Sequence, residues 1–266
     1  MHPLINIAIK AARSASKIIL RATDRLDTIQ IMEKGHNDFV TDIDQQAEQE
    51  IIKIIHESYP DHAILGEESG ASGTSDHTWI IDPIDGTTNF FHGHPHFCIS
   101  IGIKYKDRIE HGLIYDPLRQ ELFTATFGSG AFLNERRIRV ADQKQLSGAS
   151  IGTGFSNKNI KNIENYLKIL AAILPHTTKI RITGSAALDC VYVACGRIDG
   201  FWGMNLAPWD IAAGTLIIKE AGGFVTDFNG NNDFMTTGNV IAGNQNISKI
   251  LLQVVQEKIS VSGAPH

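Results

Sequence analysis

The segment Trp79-Ile80-Ile81-Asp82-Pro83-Ile84-Asp85-Gly86-Thr87-Thr88-Asn89 limits the fold more than any other stretch of the chain. Its apolar run predicts a buried strand, and Pro83, which has no N–H to give a sheet, predicts that the strand stops at Asp82. Gly86 permits a tight turn, and Gly86 to Asn89 read as the start of a helix whose unpaired N–H groups face an anion. Asp82 and Asp85 then stand together at an element edge, where they can hold a hard cation. A cation beside an anion cradle suggests phosphate chemistry. Taken alone, Asp-x-x-Asp-Gly is more often an ordinary Asp-Pro turn before a capped helix, and it lacks the alternating acids of a helix-loop-helix calcium loop.

Around this segment the chain is patterned as a mixed α/β (α+β) protein. Leu4, Ile5, Ala8, Ala11, Ala12 and Ala15 mark the inner face of a first helix, and Ala47, Ile51, Ile54 and Ile55 that of a second, with a polar connector between them. Strand-like runs follow at Ala63 to Leu65, Phe97 to Tyr105, Arg108 to Tyr115 and Glu121 to Phe127, the later ones joined as an antiparallel meander. From Ser150 the pattern alternates: strand, helix at Asn162 to Leu174, strand at Lys179 to Ile182, helix at Ser185 to Cys195, strand at Ile198 to Trp202, helix at Asp210 to Ala221. Strands near Phe224 and Val240 and a last helix from Ile247 close the chain. Two lobes are expected, 1–145 carrying Asp82 and Asp85 and 146–266 supplying Asp210.

Composition excludes several functions. A net charge of −5 without long runs of one sign argues against a broad cationic surface for nucleic acid. Cys98, Cys190 and Cys195 are too few and too scattered for a disulfide framework, which fits a reducing, cytoplasmic compartment. No apolar run approaches the roughly 20 residues needed to span a bilayer. Lys10, Arg13, Lys17 and Arg21 recur without an acid before Asp24, as in a mitochondrial presequence, but the apolar face beneath them favours a mature amphipathic helix.

Two further acidic segments accompany the Asp82 motif: Gly66-Glu67-Glu68-Ser69 after a short strand, and Pro208-Trp209-Asp210 at a helix start. With Asn37-Asp38-Phe39-Val40-Thr41-Asp42-Ile43-Asp44 and Trp209-Asp210-Ile211-Ala212-Ala213-Gly214, they resemble the inositol monophosphatase family of magnesium-dependent, lithium-sensitive phosphatases, over nearly the whole chain. Arg181-Ile182-Thr183-Gly184-Ser185-Ala186-Ala187-Leu188-Asp189 is similar to the bacterial inositol-1-monophosphatase subgroup. The resemblance implies a layered α-β-α-β-α sandwich, commonly dimeric. It implies that Glu67, Asp82 and the Ile84 carbonyl hold one Mg²⁺, that Asp82, Asp85 and Asp210 hold a second, and that a weaker third sits beside Glu67. Thr87, polarised by Asp44, would orient the attacking water, and Gly86 and Thr87 amides would hold the phosphate. Gly184, Ser185 and Ala186 would line the alcohol side, and Arg181 would contact the substrate. One position departs from the family: inositol-preferring members usually carry a glutamate where this chain has Gly203, so broad use of small polyol and sugar phosphates is expected.

Several features read as structure. His92, His94 and His96 alternate with Gly93 and Pro95 in a surface turn and would not converge on zinc. Gly128-Ser129-Gly130 and Gly152-Thr153-Gly154 lack the full dinucleotide-loop pattern. Glu68 points away from Glu67 on extended chain. The competing functions are a sister phosphatase acting on fructose 1,6-bisphosphate or 3′-phosphoadenosine 5′-phosphate, and a binding role. For the latter, the bacterial relatives' link to transcription antitermination implies contact with transcription machinery through the first helix's basic face or Arg136, Arg137 and Arg139.

Overall fold

The computed structural model describes residues 2–26, 29–35, 38–155 and 163–260. Asn37 and Asn162 lie outside them. Helix α1 (Pro3–Thr23) is capped by His2, whose Nδ1 accepts the Leu4 N–H at 3.2 Å, and Pro3 occupies the first turn, where a missing donor costs nothing. Its inner face is Leu4, Ile5, Ala8, Ala11, Ala12, Ala15 and Ile19, while Lys10, Arg13, Lys17 and Arg21 are exposed. A hairpin of β1 (Ile31–Gly35) and β2 (Asp38–Thr41) replaces the expected polar connector. Ile31 and Met32 are exposed there, so no buried alternation announces the strands. Helix α2 (Asp42–Ser58) follows, capped by Thr41, and packs Ala47, Ile51, Ile54 and Ile55 inward beside α1.

Strands β3 (Ala63–Gly66) and β4 (Gly70–Ser72) flank the Glu67 loop, and β5 (His77–Asp85) leads to the short helix α3 (Thr87–Phe91). The meander is β6 (Cys98–Tyr105), β7 (Arg108–Asp116), β8 (Glu121–Thr126), β9 (Gly130–Leu133) and β10 (Arg136–Arg137). Together they form an eight-stranded sheet in the order β10-β9-β8-β7-β6-β5-β3-β4. One expectation fails: β5 does not stop at Asp82 but continues through Pro83 to Asp85. Asp82 pairs with Ser100 and Asp85 with Cys98, so the longer segment bulges out of the ladder and takes Pro83 with it.

The chain then enters a second sheet through β11 (Ser150–Phe155), α4 (Ile163–Ile173), β12 (Lys179–Arg181), α5 (Ala186–Ala194), β13 (Gly200–Met204) and α6 (Pro208–Glu220). Then come β14 (Phe224–Thr226), α7 (Phe234–Thr237), β15 (Val240–Gly243) and α8 (Gln245–Ser260). The strand order is β12-β11-β13-β15-β14, with β11 parallel to both neighbours and the β15 pairings antiparallel.

The layers stack as the resemblance implied. Helices α1 and α2 cover one face of the larger sheet; α5 and α6 fill the space between the sheets; α4 and α8 pack with one another beyond the smaller sheet. The middle layer joins Ile114 and Phe123 of the first sheet to Leu188, Val191, Ile211 and Ile217 of the helices and Phe201 and Val240 of the second. Each such buried side chain contributes about 1.5–3 kcal/mol relative to exposure. Helix α6 lies against bare backbone: a Cβ at Gly102 would stand 2.8 Å from the Ala212 Cβ, and one at Gly112 2.8 Å from the Ala213 oxygen. That close approach brings the first turn of α6, with Asp210, to the β5 bulge. Ser100 Oγ fixes the register by donating to the Trp209 carbonyl at 3.2 Å. No helix among the described residues is long and apolar enough to cross a membrane.

Candidate active site

A cleft of about 550 Å³ opens where the β5 bulge meets the first turns of α5 and α6. Glu67, Asp82, Ile84, Asp85, Gly86, Thr87, Gly184, Ser185, Ala186 and Asp210 all line it. Asp82, Asp85 and Asp210 each offer a carboxylate oxygen within 4.8 Å of the others, the one such acidic or His/Cys cluster among the described residues. Asp82 is 1% exposed and Asp85 7%. Burial, then the charges of Glu67, Asp85, Asp210 and Asp44, push the Asp82 carboxyl well above the usual carboxylate range. Burial pushes Asp85 up to about 6, against hydrogen bonds from Ser185, Ala187 and Ala186 that favour its charge.

Local chemistry fixes each acid. The bulge lets Asp82 Oδ1 accept the Ile84 N–H at 3.0 Å. Asp85 Oδ2 accepts the Ser185 hydroxyl at 2.5 Å and the Ala187 N–H at 2.7 Å, so the N-terminus of α5 grips one oxygen. Ser185, expected only on the alcohol side, is thus also the clamp on Asp85. Asp210 Oδ2 accepts the Ala207 N–H at 2.8 Å in the first turn of α6. Gly86 has φ +101°, and a Cβ there would lie 3.0 Å from the His96 carbonyl oxygen, so both conformation and space require glycine. Asn89 Nδ2 ties that turn to the loop before β6 and the loop before α5, donating to the His96 oxygen at 2.8 Å and the Thr183 oxygen at 2.9 Å.

Beneath the cleft, Thr87 Oγ1 lies 3.1 Å from both Asp44 Oδ1 and the Ile84 oxygen and can donate to either. Asp44, fully buried, is held through Oδ2 by the Thr41 N–H at 2.8 Å and the Thr41 hydroxyl at 2.5 Å. Arg181 does not line the cleft; it is exposed, with Nε donating to Ser150 Oγ at 3.2 Å. The three histidines of 92–96 form no metal cluster among the described residues, and only His96 is buried.

Sequence reasoning missed three residues. Glu48 on α2, 1% exposed, accepts the Glu68 N–H at 3.0 Å and the Ser69 N–H at 2.7 Å, and so holds the loop that carries Glu67. A Cβ at Gly66 would collide with that carboxylate at 2.6 Å. Cys98 places its thiol 3.9 Å behind Asp85 Oδ2. Asp189, 1% exposed, lines the cleft from α5. The signal for Glu48 was an acid at an apolar helix position one turn past Asp44.

The model of the inositol monophosphatase family matches residues 1–260. The chain belongs to the inositol monophosphatase family. A Pseudomonas aeruginosa relative named Nus factor SuhB is 49% identical, over 98% of this chain and 99% of its own. The crystal structure of extragenic suppressor protein suhB from Bartonella henselae superposes with a TM-score of 0.93 at 41% identity, over 96% of this chain and 99% of that one. An inositol monophosphatase of Thermotoga maritima gives 0.88 at 37%, over 98% and 100%. Membership of the inositol monophosphatase family thus comes with full-length relatives named Nus factor SuhB.

Proposed function

We propose that the chain is a Mg²⁺-dependent phosphatase that hydrolyses inositol 1-phosphate and related small polyol or sugar phosphate monoesters to the alcohol and inorganic phosphate. The convergence of Asp82, Asp85 and Asp210 in one cleft carries the reading. Their donor set fits Mg²⁺: all ligands are oxygens, and the buried Asp82 is surrounded by like charge that a cation would offset. Glu67, Asp82 and the Ile84 carbonyl would hold one ion, Asp82, Asp85 and Asp210 a second, with a weaker third beside Glu67. When bound, such ions lower the pKa of water and offset charge on the phosphoryl and leaving oxygens.

The chain's own groups do the positioning. Thr87 Oγ1, with its proton directed to Asp44 Oδ1 or the Ile84 oxygen, turns a lone pair outward to accept a hydrogen bond from water and so aims that water at phosphorus. The backbone N–H groups of Gly86 and Thr87 would hold the phosphate oxygens. Gly184, Ser185 and Ala186 line the alcohol side. No Lys, Arg or His lines the cleft among the described residues, which favours a monoester over the bisphosphates considered above. Lithium inhibition, a homodimer and a cytoplasmic location extend the reading from family membership.

Phosphate release from inositol 1-phosphate, glycerol 2-phosphate and adenosine 2′-monophosphate, with and without Mg²⁺, tests it. Mg²⁺-dependent release from all three is expected; none from any would overturn it. The relative's name favours a second reading, contact with transcription machinery independent of catalysis. The exposed Arg136, Arg137 and Arg139 and the outer face of α1 would serve it. A pull-down with Asp82→Asn should then capture the same partner as the parent chain, and capture lost in that variant would contradict independence.

A further inference from the structure

Five described carboxylates line the cleft: Glu67, Asp82, Asp85, Asp210 and Asp189. Four belong to the cation site proposed above. Asp189 remains, and its Oδ1 is buried without a hydrogen-bond partner. The Thr183 hydroxyl stands beside it, near enough to favour the charged carboxylate but outside good hydrogen-bond geometry. Leaving a buried acceptor unserved destabilises a fold, so such a group facing a cleft is commonly kept for a ligand or an ordered water.

The neighbourhood suits an alcohol. Gly152 on β11 presents no side chain to α5: a Cβ there would lie 2.9 Å from Ile198 Cδ1, 3.3 Å from Phe201 Cδ2 and 3.4 Å from Asp189 Cγ, so the Asp189 carboxyl rests beside bare strand. Gly203 on β13 pairs with Gly154 on β11, on the face that also carries Phe201. A side chain at Gly203 would require Leu206 to move, because a Cβ would stand 2.5 Å from Leu206 Cδ1 and 3.0 Å from Phe201 Cζ. Phe155, Tyr166, Ile182 and Leu206 supply apolar wall for the carbon face of a ring.

Resting on the phosphatase reading, we infer that Asp189 is the residue that selects the alcohol: it reads a hydroxyl of a polyol or sugar phosphate bound in the cleft. A substrate hydroxyl satisfies Oδ1 and is bound in exchange. Burial raises the Asp189 carboxyl to about 8, with Thr183 and Arg181 opposing and Asp85 reinforcing, so near neutrality it offers a donor as well as an acceptor. An ester without vicinal hydroxyls gains nothing from it.

The test compares kcat and KM for inositol 1-phosphate and phenyl phosphate in the parent chain, Asp189→Leu and Asp189→Asn, with thermal melting of each. Leucine keeps the volume and removes the acceptor; asparagine keeps an acceptor. The expected result is that Asp189→Leu lowers kcat/KM for inositol 1-phosphate roughly tenfold more than for phenyl phosphate, mainly through KM. Asp189→Asn should recover most of that gap, and Tm should not fall in Asp189→Leu. A parallel loss on both esters, or a lowered Tm with the ratio unchanged, would overturn the assignment while the parent enzyme remained a phosphatase. A parent chain that releases phosphate from neither ester would overturn both.

Discussion

Helix α2 and the β5 bulge each bury two acids, and they serve them differently. On α2, Asp44 accepts from the Thr41 N–H and hydroxyl and Glu48 from two backbone N–H groups, so both charges are met by donors of the chain. At the bulge, Asp82 and Asp85 face each other and Asp210, and the burial of Asp82 is compounded by four neighbouring acids. A buried carboxylate stays ionised when it finds donors or a cation. The α2 acids have found donors and act by holding Thr87 and the Glu67 loop. At the bulge Asp85 meets the Ser185 hydroxyl and the Ala187 N–H on one oxygen only, while Asp82 accepts the Ile84 N–H against four neighbouring acids, which marks the cation site.

The contrast is broken most directly at the bulge. Asp85→Asn or Asp210→Asn should abolish Mg²⁺-dependent phosphate release, by about 10³-fold or more, while circular dichroism reports an intact fold. Near-normal turnover would place the chemistry elsewhere. Asp44→Asn comes next: weakening the acceptor for the Thr87 hydroxyl should cost about 10²-fold in kcat with little change in KM. On the other side of α2, Glu48→Ala leaves the Glu68 and Ser69 N–H groups unserved. Calorimetry should show Mg²⁺ affinity weakened about 10- to 100-fold and denaturant melts a loss of about 1–3 kcal/mol. Equal effects of Asp44→Asn and Glu48→Ala on metal affinity would erase the distinction between their roles.

The smallest effect concerns pH. A carboxyl raised to about 6 in the metal-free fold, as at Asp85, holds its proton longer than in the unfolded chain. It stabilises the metal-free protein in acid, and that contribution is lost as pH rises from the ordinary carboxylate range through about 6. Mg²⁺ competes with that proton, so it should raise Tm more at about pH 8 than at about pH 5. A Tm increment independent of pH would contradict the clustering.

Parts of this contrast were legible before any coordinates. Asp82, Asp85 and Gly86 obey local rules of turns and breakers, and the apolar spacing of Ala47, Ile51 and Ile55 located α2. Residues whose partners are distant in the chain were not legible in the same way. Nothing near Glu48 announces the Glu68 and Ser69 amides, and nothing near Ser185 announces Asp85, because those pairings exist only once α2 and α5 are packed. Pro83 misled because a bulge, which depends on pairing with β6, can carry a proline that a regular ladder cannot. Hairpin β1–β2 escaped notice because Ile31 and Met32, at the start of β1, are exposed and leave Val40 as a single buried apolar residue among those described.

Diffraction from crystals soaked in Mn²⁺, a stand-in for Mg²⁺ with an anomalous signal, examines the acidic cluster without relying on turnover. A strong anomalous peak bonded to Asp82 and shared with Asp85 and Asp210 is the predicted result. A cleft that remains free of anomalous density at saturating Mn²⁺, with those carboxylates protonated and bonded to one another, would contradict it.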